Sequence, residues 1–295
     1  MEREMVDGET LSAKWCEALL LEGESCLIES SVRELTEYFG IRRVDALESC
    51  VTAGLEAKRE WEAEPRHTVH DVEAFYRMTR SCLFENLWSH ATAPAENAAN
   101  VALLAYAQQI GALEYLDFGG GVGSNAILFA RAGFNVTVAD ISPPMLAFAR
   151  WRLQRRGLSA QFIDLNRQSL PRNRYAFATA VDVLAHLYDP TVELQQLSEA
   201  LVLNGVLAFN LQAGNEAECP MRILPASVPV FRALRNLGLR GIQGHDPVGE
   251  TLRAREFYTA RRIAQSRVRD WSYRAYDLVF SGARMQEWWG RVHQH

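Results

Sequence analysis

Leu116-Asp117-Phe118-Gly119-Gly120-Gly121-Val122-Gly123 is the stretch that decides the fold. The apolar residues up to Phe118 read as a buried strand, the glycines as a sharp turn, and Ser124 onward as the start of a helix. Glycine has no Cβ, so this turn can lay bare backbone against a ligand. A second strand, Asn135–Ala139, then delivers Asp140, an acid placed to accept hydrogen bonds from a ribose diol. The combination predicts a nucleoside-cofactor site.

Working outward, strand and helix alternate from Leu113, the rhythm of a parallel sheet covered by helices. The first strand is Leu113–Phe118, followed by a helix over Ser124–Ala132 that Gly133 closes. After the second strand, Pro143 and Pro144 open a helix to Arg156, stopped by Gly157. Further strands are expected at Ala160–Ile163 and Tyr175–Val181, and a helix at Thr191–Leu203. Asn204-Gly205 then turns into a strand at Val206–Leu211. The expected fold is α/β: a doubly wound, mostly parallel, Rossmann-like sheet of seven-stranded type with an N-terminal all-helical cap. Past residue 211, Pro220, Pro225 and Pro229 punctuate an insertion-like stretch. Arg253, Arg255, Arg261, Arg262, Arg267, Arg269 and Arg274 crowd an aromatic-rich tail and read as a solvated helix face.

Residues 1–110 read as a helical cap or dimerisation region, and residues 111–295 as the α/β domain. Leu11, Trp15, Ala18, Leu19 and Leu21 recur at helical spacing. Ser31 is expected to cap a helix carrying Val32, Leu35 and Phe39, which Gly40 ends. Val44, Leu47, Val51 and Leu55 form the next stripe, giving the pair a helix-turn-helix look. Glu62, Glu64, Pro65 and Arg66 break the pattern, one long helix is expected over Val69–His90, and another over Pro94–Ile110.

Of the 295 residues 48% are hydrophobic, enough for a full core. The net charge of −5 argues against nucleic acid as substrate. Five cysteines without a CxxC pair fit a reducing compartment, and no apolar run is long enough to span a membrane. The expectation is a cytoplasmic protein, a homodimer through its helical region if it assembles, with no metal. His67-Thr68-Val69-His70 and His293-Gln294-His295 complete no ligand set.

Asp117-Phe118-Gly119 spells the magnesium-holding triplet of protein kinases, but the lysine strand and His-Arg-Asp loop that should precede it are absent. Gly121-Val122-Gly123-Ser124-Asn125-Ala126 fits the GxGxxA of nicotinamide dinucleotide sites, which keeps an oxidoreductase open. Two later signals have no place in that scheme: Phe162-Ile163-Asp164-Leu165, and Asp182-Val183-Leu184-Ala185-His186-Leu187-Tyr188-Asp189-Pro190. With these the chain resembles the class I S-adenosylmethionine-dependent methyltransferases over about residues 113–211. Their acid-x-Gly-x-Gly-x-Gly signature is matched by Asp117, Gly119, Gly121 and Gly123, and their later acids by Asp140 and Asp164. Leu203-Asn204-Gly205-Val206-Leu207 is similar to their turn into the fifth strand, without its usual proline.

The resemblance implies S-adenosyl-L-methionine as cofactor. Gly119, Gly120 and Gly121 would approach the methionyl part and Asp117 its ammonium. Asp140, with Ile141 beside it, would take the ribose. Asp164 and the Leu165 amide would take the adenine, and Asp182 would sit near the sulfonium. Methyl transfer is an in-line displacement that needs positioning, desolvation and sometimes a base. His186 is the candidate base. Phe75–Phe84 is similar to the helices preceding the core in small-molecule methyltransferases, making Tyr76 a cofactor lid and Trp88 and His90 acceptor-pocket candidates. The implied acceptor is a small molecule. A catalytically silent nucleoside-binding scaffold remains the alternative outside enzymes.

Overall fold

The computed structural model describes residues 8–211, 219–224, 230–241 and 257–264. Pro225, Pro229, Arg253, Arg255, Arg267, Arg269, Arg274 and the His293-Gln294-His295 run lie outside them. Six helices come first: α1 Gly8–Leu19, α2 Leu27–Phe39, α3 Arg43–Ala63, α4 Val69–Met78, α5 Ser81–Thr92 and α6 Pro94–Gln109. Then follow β1 Glu114–Phe118, α7 Ser124–Arg131, β2 Asn135–Asp140, α8 Pro143–Arg155, β3 Gln161–Asp164 and β4 Tyr175–Ala180. A 3-10 turn at Leu184–His186 precedes α9 Thr191–Ala200 and β5 Leu201–Asn210. The last described elements are α10 Val230–Asn236, β6 Leu239–Gly241 and β7 Phe257–Arg262.

The strands form one seven-stranded sheet in the order β3-β2-β1-β4-β5-β7-β6. β1 to β5 run parallel, and β7 is antiparallel to both its neighbours. Successive side chains on β1 alternate between two cores, as a strand covered on both faces requires. Tyr115 packs with Phe129, Val138 and Phe177 among residues of α1, α6 and α7. Leu116 and Phe118 pack with Leu194, Leu197 and Leu234 of α9 and α10. The N-terminal helices share the first core with the sheet and, through Trp61, Phe75 and Leu87, build a third one against Phe148 and Met145 of α8.

The α/β half follows its expected elements to within a residue or two, except that α9 ends at Ala200, three residues short of Leu203, and β5 starts early. That strand begins at Leu201 instead of Val206, because Leu201 already pairs with Tyr175 before the register shifts to Val206 opposite Phe177. Asn204 (φ 67°) and Gly205 turn within the resulting bulge. β6 and β7, which complete the sheet, fall where the sequence reads only as insertion and tail, and Arg261 and Arg262, expected on a solvated helix face, pair within β7 instead.

The helical half departs more. α2 starts at Leu27, so Ser31 lies buried within it and is no cap, whereas Gly40 does end it in the left-handed conformation (φ 65°). α3 is longer than its stripe and buries another face: Ala46, Cys50, Ala53, Ala57 and Trp61 point inward. Val44, Val51 and Leu55 are 58, 63 and 53% exposed. Small side chains let α3 pack closely, and that outweighs the larger apolar stripe. The expected single helix over Val69–His90 is two. Thr68 and Asp71 start α4 with a reciprocal capping box. Thr79 and Ser81 then both donate to the Glu60 carboxylate, at 2.7 and 2.5 Å, and turn the chain into α5.

Candidate functional site

The glycine loop closes tightly over the end of β1. Gly119, Gly121 and Gly123 hold φ of 67, 52 and 76°, a region that side chains disfavour. A Cβ on Gly119 would lie 2.3 Å from Val183 Cγ2, and one on Gly123 2.8 Å from Ala149 Cβ. Gly121 differs: its nearest neighbours, Asn86 Oδ1 and Met145 Sδ, would be 3.6 Å away. A side chain there would touch α5 and α8 at ordinary contact distance, so Gly121 is the least crowded of the three.

Three carboxylates end adjacent parallel strands. Asp117 is 2% exposed, and its Oδ1 accepts from Thr179 Oγ1 at 3.3 Å. Among the described residues its Oδ2 has no partner. Burial pushes the Asp117 carboxyl up to about 7; Thr179, Tyr115 and the Ala126 amide pull down, and the neighbouring Asp140 pushes up again. Asp140 accepts from Gly121 N at 2.9 Å on Oδ2 and from Ser142 N at 2.8 Å on Oδ1. It therefore pins the glycine loop to the chain leaving β2, with Ile141 between its two anchors. Each oxygen keeps a second lone pair for a ligand. Burial raises this carboxyl too, against those amides.

Asp164 is half-buried and accepts the backbone and side-chain N–H of Asn166 at 3.0 and 2.7 Å. The Leu165 amide, expected to donate to an adenine ring, instead donates to Asp140 O at 3.0 Å. The strand-end ladder between β2 and β3 continues one residue further than the sequence suggests, and this uses the donor.

The opposite wall comes from the end of β4. Asp182 adopts φ 53° and forms a reciprocal pair with Asn210: its amide donates to Asn210 Oδ1 at 2.7 Å, and Asn210 Nδ2 donates back to Asp182 Oδ1 at 2.8 Å. His186 Nδ1 lies 2.9 Å from Met221 O and 2.8 Å from Tyr76 Oη. A carbonyl only accepts, so the Met221 contact calls for the hydrogen on Nδ1, with Tyr76 Oη as its second acceptor, and leaves the lone pair on Nε2. Burial holds the imidazole below the usual histidine range; the Met221 carbonyl and Asp182 oppose this and Arg222 adds to it. His186 is thus neutral with a fixed tautomer, the state a general base requires. The Tyr76 hydroxyl is pushed well up by burial and stays protonated. Burial also raises Glu85 on α5, with Asp182 adding and Arg222 opposing.

Sequence reasoning missed Thr179, Asn210, Met221, Glu85 and Asn86. Asn210 had a signal, being the polar residue that ends an otherwise apolar strand. The others sit in helix, strand or coil where only tertiary contact gives them a role. Conversely, His90 is committed elsewhere: its Nδ1 meets Ser124 Oγ at 2.9 Å and its ring packs edge-on against Trp15. It is a contact between α5 and α7. Trp88 is half-buried against the third core. Among the described residues no group of three His, Cys, Asp or Glu side chains is placed to hold a metal, and no helix is long and apolar enough to cross a membrane.

The donor set fits S-adenosylmethionine. A buried, unpartnered carboxylate oxygen on Asp117 suits an ammonium, the glycines form a cradle that side chains would fill, and Asp140 retains acceptor capacity. Residues 88–276 match the family described as "Methyltransferase domain". Among solved structures, phosphoethanolamine N-methyltransferase 2 of Haemonchus contortus, with phosphomonomethylethanolamine and S-adenosylhomocysteine, aligns at 15% identity and a TM-score of 0.49. It covers 68% of this chain and 61% of that one. Magnesium protoporphyrin IX methyltransferase from Synechocystis PCC 6803, with bound S-adenosylmethionine, aligns at 18% and 0.47, covering 67% and 100%. The [4+2]-cyclase SpnF aligns at 19% and 0.44, covering 60% and 83%. No curated protein sequence matches the chain.

Proposed function

The chain belongs to the methyltransferase-domain family, and from that premise we propose that it moves the methyl group of S-adenosylmethionine to a small-molecule acceptor lying between the glycine loop and the wall built by Tyr76 and His186. The nicotinamide reading of the loop gives way to this family. The cofactor supplies an electrophilic methyl on a sulfonium that is already a good leaving group. The protein's task is therefore to orient, to exclude water and, for a protonated acceptor, to take a proton. Asp117 and Asp140 would hold the cofactor, Asp164 its adenine edge, and Asp182 would face the reacting end.

The observation that carries the acceptor-side reading is the His186 tautomer. Met221 O orders Nδ1–H, so Nε2 is the proton acceptor. Tyr76, on α4, reaches the same ring at 2.8 Å, which supports a helical cap that forms part of this wall. The net-acidic chain and the apolar neighbours of Tyr76, Phe75 and Trp61, favour a compact organic acceptor over nucleic acid.

Calorimetry with S-adenosylhomocysteine and with NADH tests the cofactor, and mass spectrometry of methylated products from a panel of phenols, amines and carboxylic acids tests the acceptor. Micromolar binding of S-adenosylhomocysteine corresponds to about 8 kcal/mol. Methylation of tRNA or DNA in place of every small molecule would overturn the acceptor class.

A further inference from the structure

We propose that Arg152 is a positioning residue for the cofactor loop, and that the N-terminal helices operate it through Glu34. Arg152 lies on α8 and is 2% exposed; Glu34 lies on α2 and is 1% exposed. Arg152 Nε donates to both Glu34 oxygens, at 3.1 and 3.0 Å. Its Nη1 points the other way, into the loop, donating to Val122 O at 2.8 Å and Ser124 Oγ at 3.0 Å. These two acceptors flank Gly123. Fixing them fixes the peptide planes just after Gly121, whose amide the Asp140 carboxylate holds.

The surrounding groups complete the brace. Ser124 Oγ accepts from Arg152, so its own hydrogen can pass to His90 Nδ1 on α5. Arg156 also donates to Glu34 and, at 2.7 Å, to Leu19 O at the end of α1. The bonds of Arg156 reach the helices and not the loop, whereas Arg152 joins the two. The geometry also explains why arginine stands here. A planar fork serves a carboxylate on one edge and a carbonyl on the other, which a single ammonium cannot do. A buried ion pair adds little to stability compared with well-packed apolar residues, so stability alone does not account for it.

The experiment compares Arg152→Lys, Ser124→Ala and Arg156→Gln in the full chain. It measures S-adenosylhomocysteine affinity by calorimetry, the melting temperature without ligand, and hydrogen exchange over residues 119–124. Arg152→Lys is expected to weaken binding about tenfold, as loss of a charge-assisted bond does, and to speed exchange in the loop. Ser124→Ala is expected to weaken binding about threefold, since one of the two loop bonds remains, and to lower the melting temperature as well, since buried His90 Nδ1 loses its partner. Arg156→Gln is expected to lower the melting temperature and leave affinity within about twofold. Affinity that simply tracks melting temperature across the three variants would overturn the proposal. So would wild-type affinity in Ser124→Ala, which decides the matter if Arg152→Lys fails to fold.

Discussion

The two walls of the site are built in opposite ways. The floor comes from consecutive chain: Asp117, the glycines, Asp140 and Asp164 fall at the ends of β1, β2 and β3, and the Asp140 carboxylate reaches a loop amide only 19 residues away. The facing wall is assembled from afar: Tyr76 and His186 are 110 residues apart, and the Met221 carbonyl that orients His186 lies 35 residues beyond it. A floor made of backbone turns tolerates almost no substitution, because each turn has one conformation. A wall made of side-chain contacts can be altered piecemeal, and its variants should separate turnover from binding.

The largest expected effect tests the rigidity of the floor. Gly119→Ala places a Cβ 2.3 Å from Val183 on a backbone at φ 67°. Cofactor affinity should fall by more than about a hundredfold, with a lower melting temperature. Normal S-adenosylhomocysteine binding by Gly119→Ala would mean the loop is not the floor.

On the wall, His186→Ala should cut the methyl-transfer rate about a hundredfold, the usual worth of a positioned base, while calorimetry finds S-adenosylhomocysteine affinity nearly unchanged. An equal loss in binding and rate would erase the contrast between the two walls.

Asp117→Asn sharpens the floor further. Burial raises its carboxyl to about 7, well above the ordinary carboxylate range. The stability it contributes is therefore fully present below about 4 and lost as pH rises through about 7. Asparagine does not titrate, so the melting temperature of the ligand-free variant should gain on wild type between about pH 4 and 7 and keep a constant offset above that. Its cofactor affinity should nevertheless drop about tenfold for want of a charge opposite the ammonium. Parallel melting curves in pH would show that Asp117 does not titrate there.

The smallest effects belong to the helices. Tyr76→Phe should change the rate only about threefold, because Met221 O continues to orient His186. Val51→Ser on the exposed face of α3 should move stability by less than about 0.5 kcal/mol. A shift in sedimentation for that variant would identify the α3 face as an assembly surface.

Much of the floor was legible because its signals are local. A glycine at positive φ, a carboxylate at a strand end and a proline at a helix start each depend on a few neighbouring residues. Gly40, Gly119, Gly123 and Pro94 stand in the conformations that their residue types favour, and Asp140 ends β2 as expected. The helical half was legible only in outline, since helical periodicity marks apolar faces without ranking them. α3 carries two such faces, and the smaller residues won because they pack closer. His90 read as a site residue from its place beside an aromatic, but the position of Ser124 gave it a partner in the core.

By itself the sequence determined a nucleoside-cofactor site and the order of strand and helix from Leu113 to Asn210, because backbone preference and hydrophobic alternation act over a handful of residues; the choice of S-adenosylmethionine rested on the family resemblance. Only the tertiary structure decided the remainder. It placed β7 antiparallel between β5 and β6, spent the Leu165 amide on Asp140, set the tautomer of His186 with a carbonyl 35 residues further along the chain, and joined α2 to the cofactor loop through Arg152. Each of these depends on a hydrogen bond between groups far apart in the chain. Such bonds take their direction from packing, and no short stretch of residues encodes them.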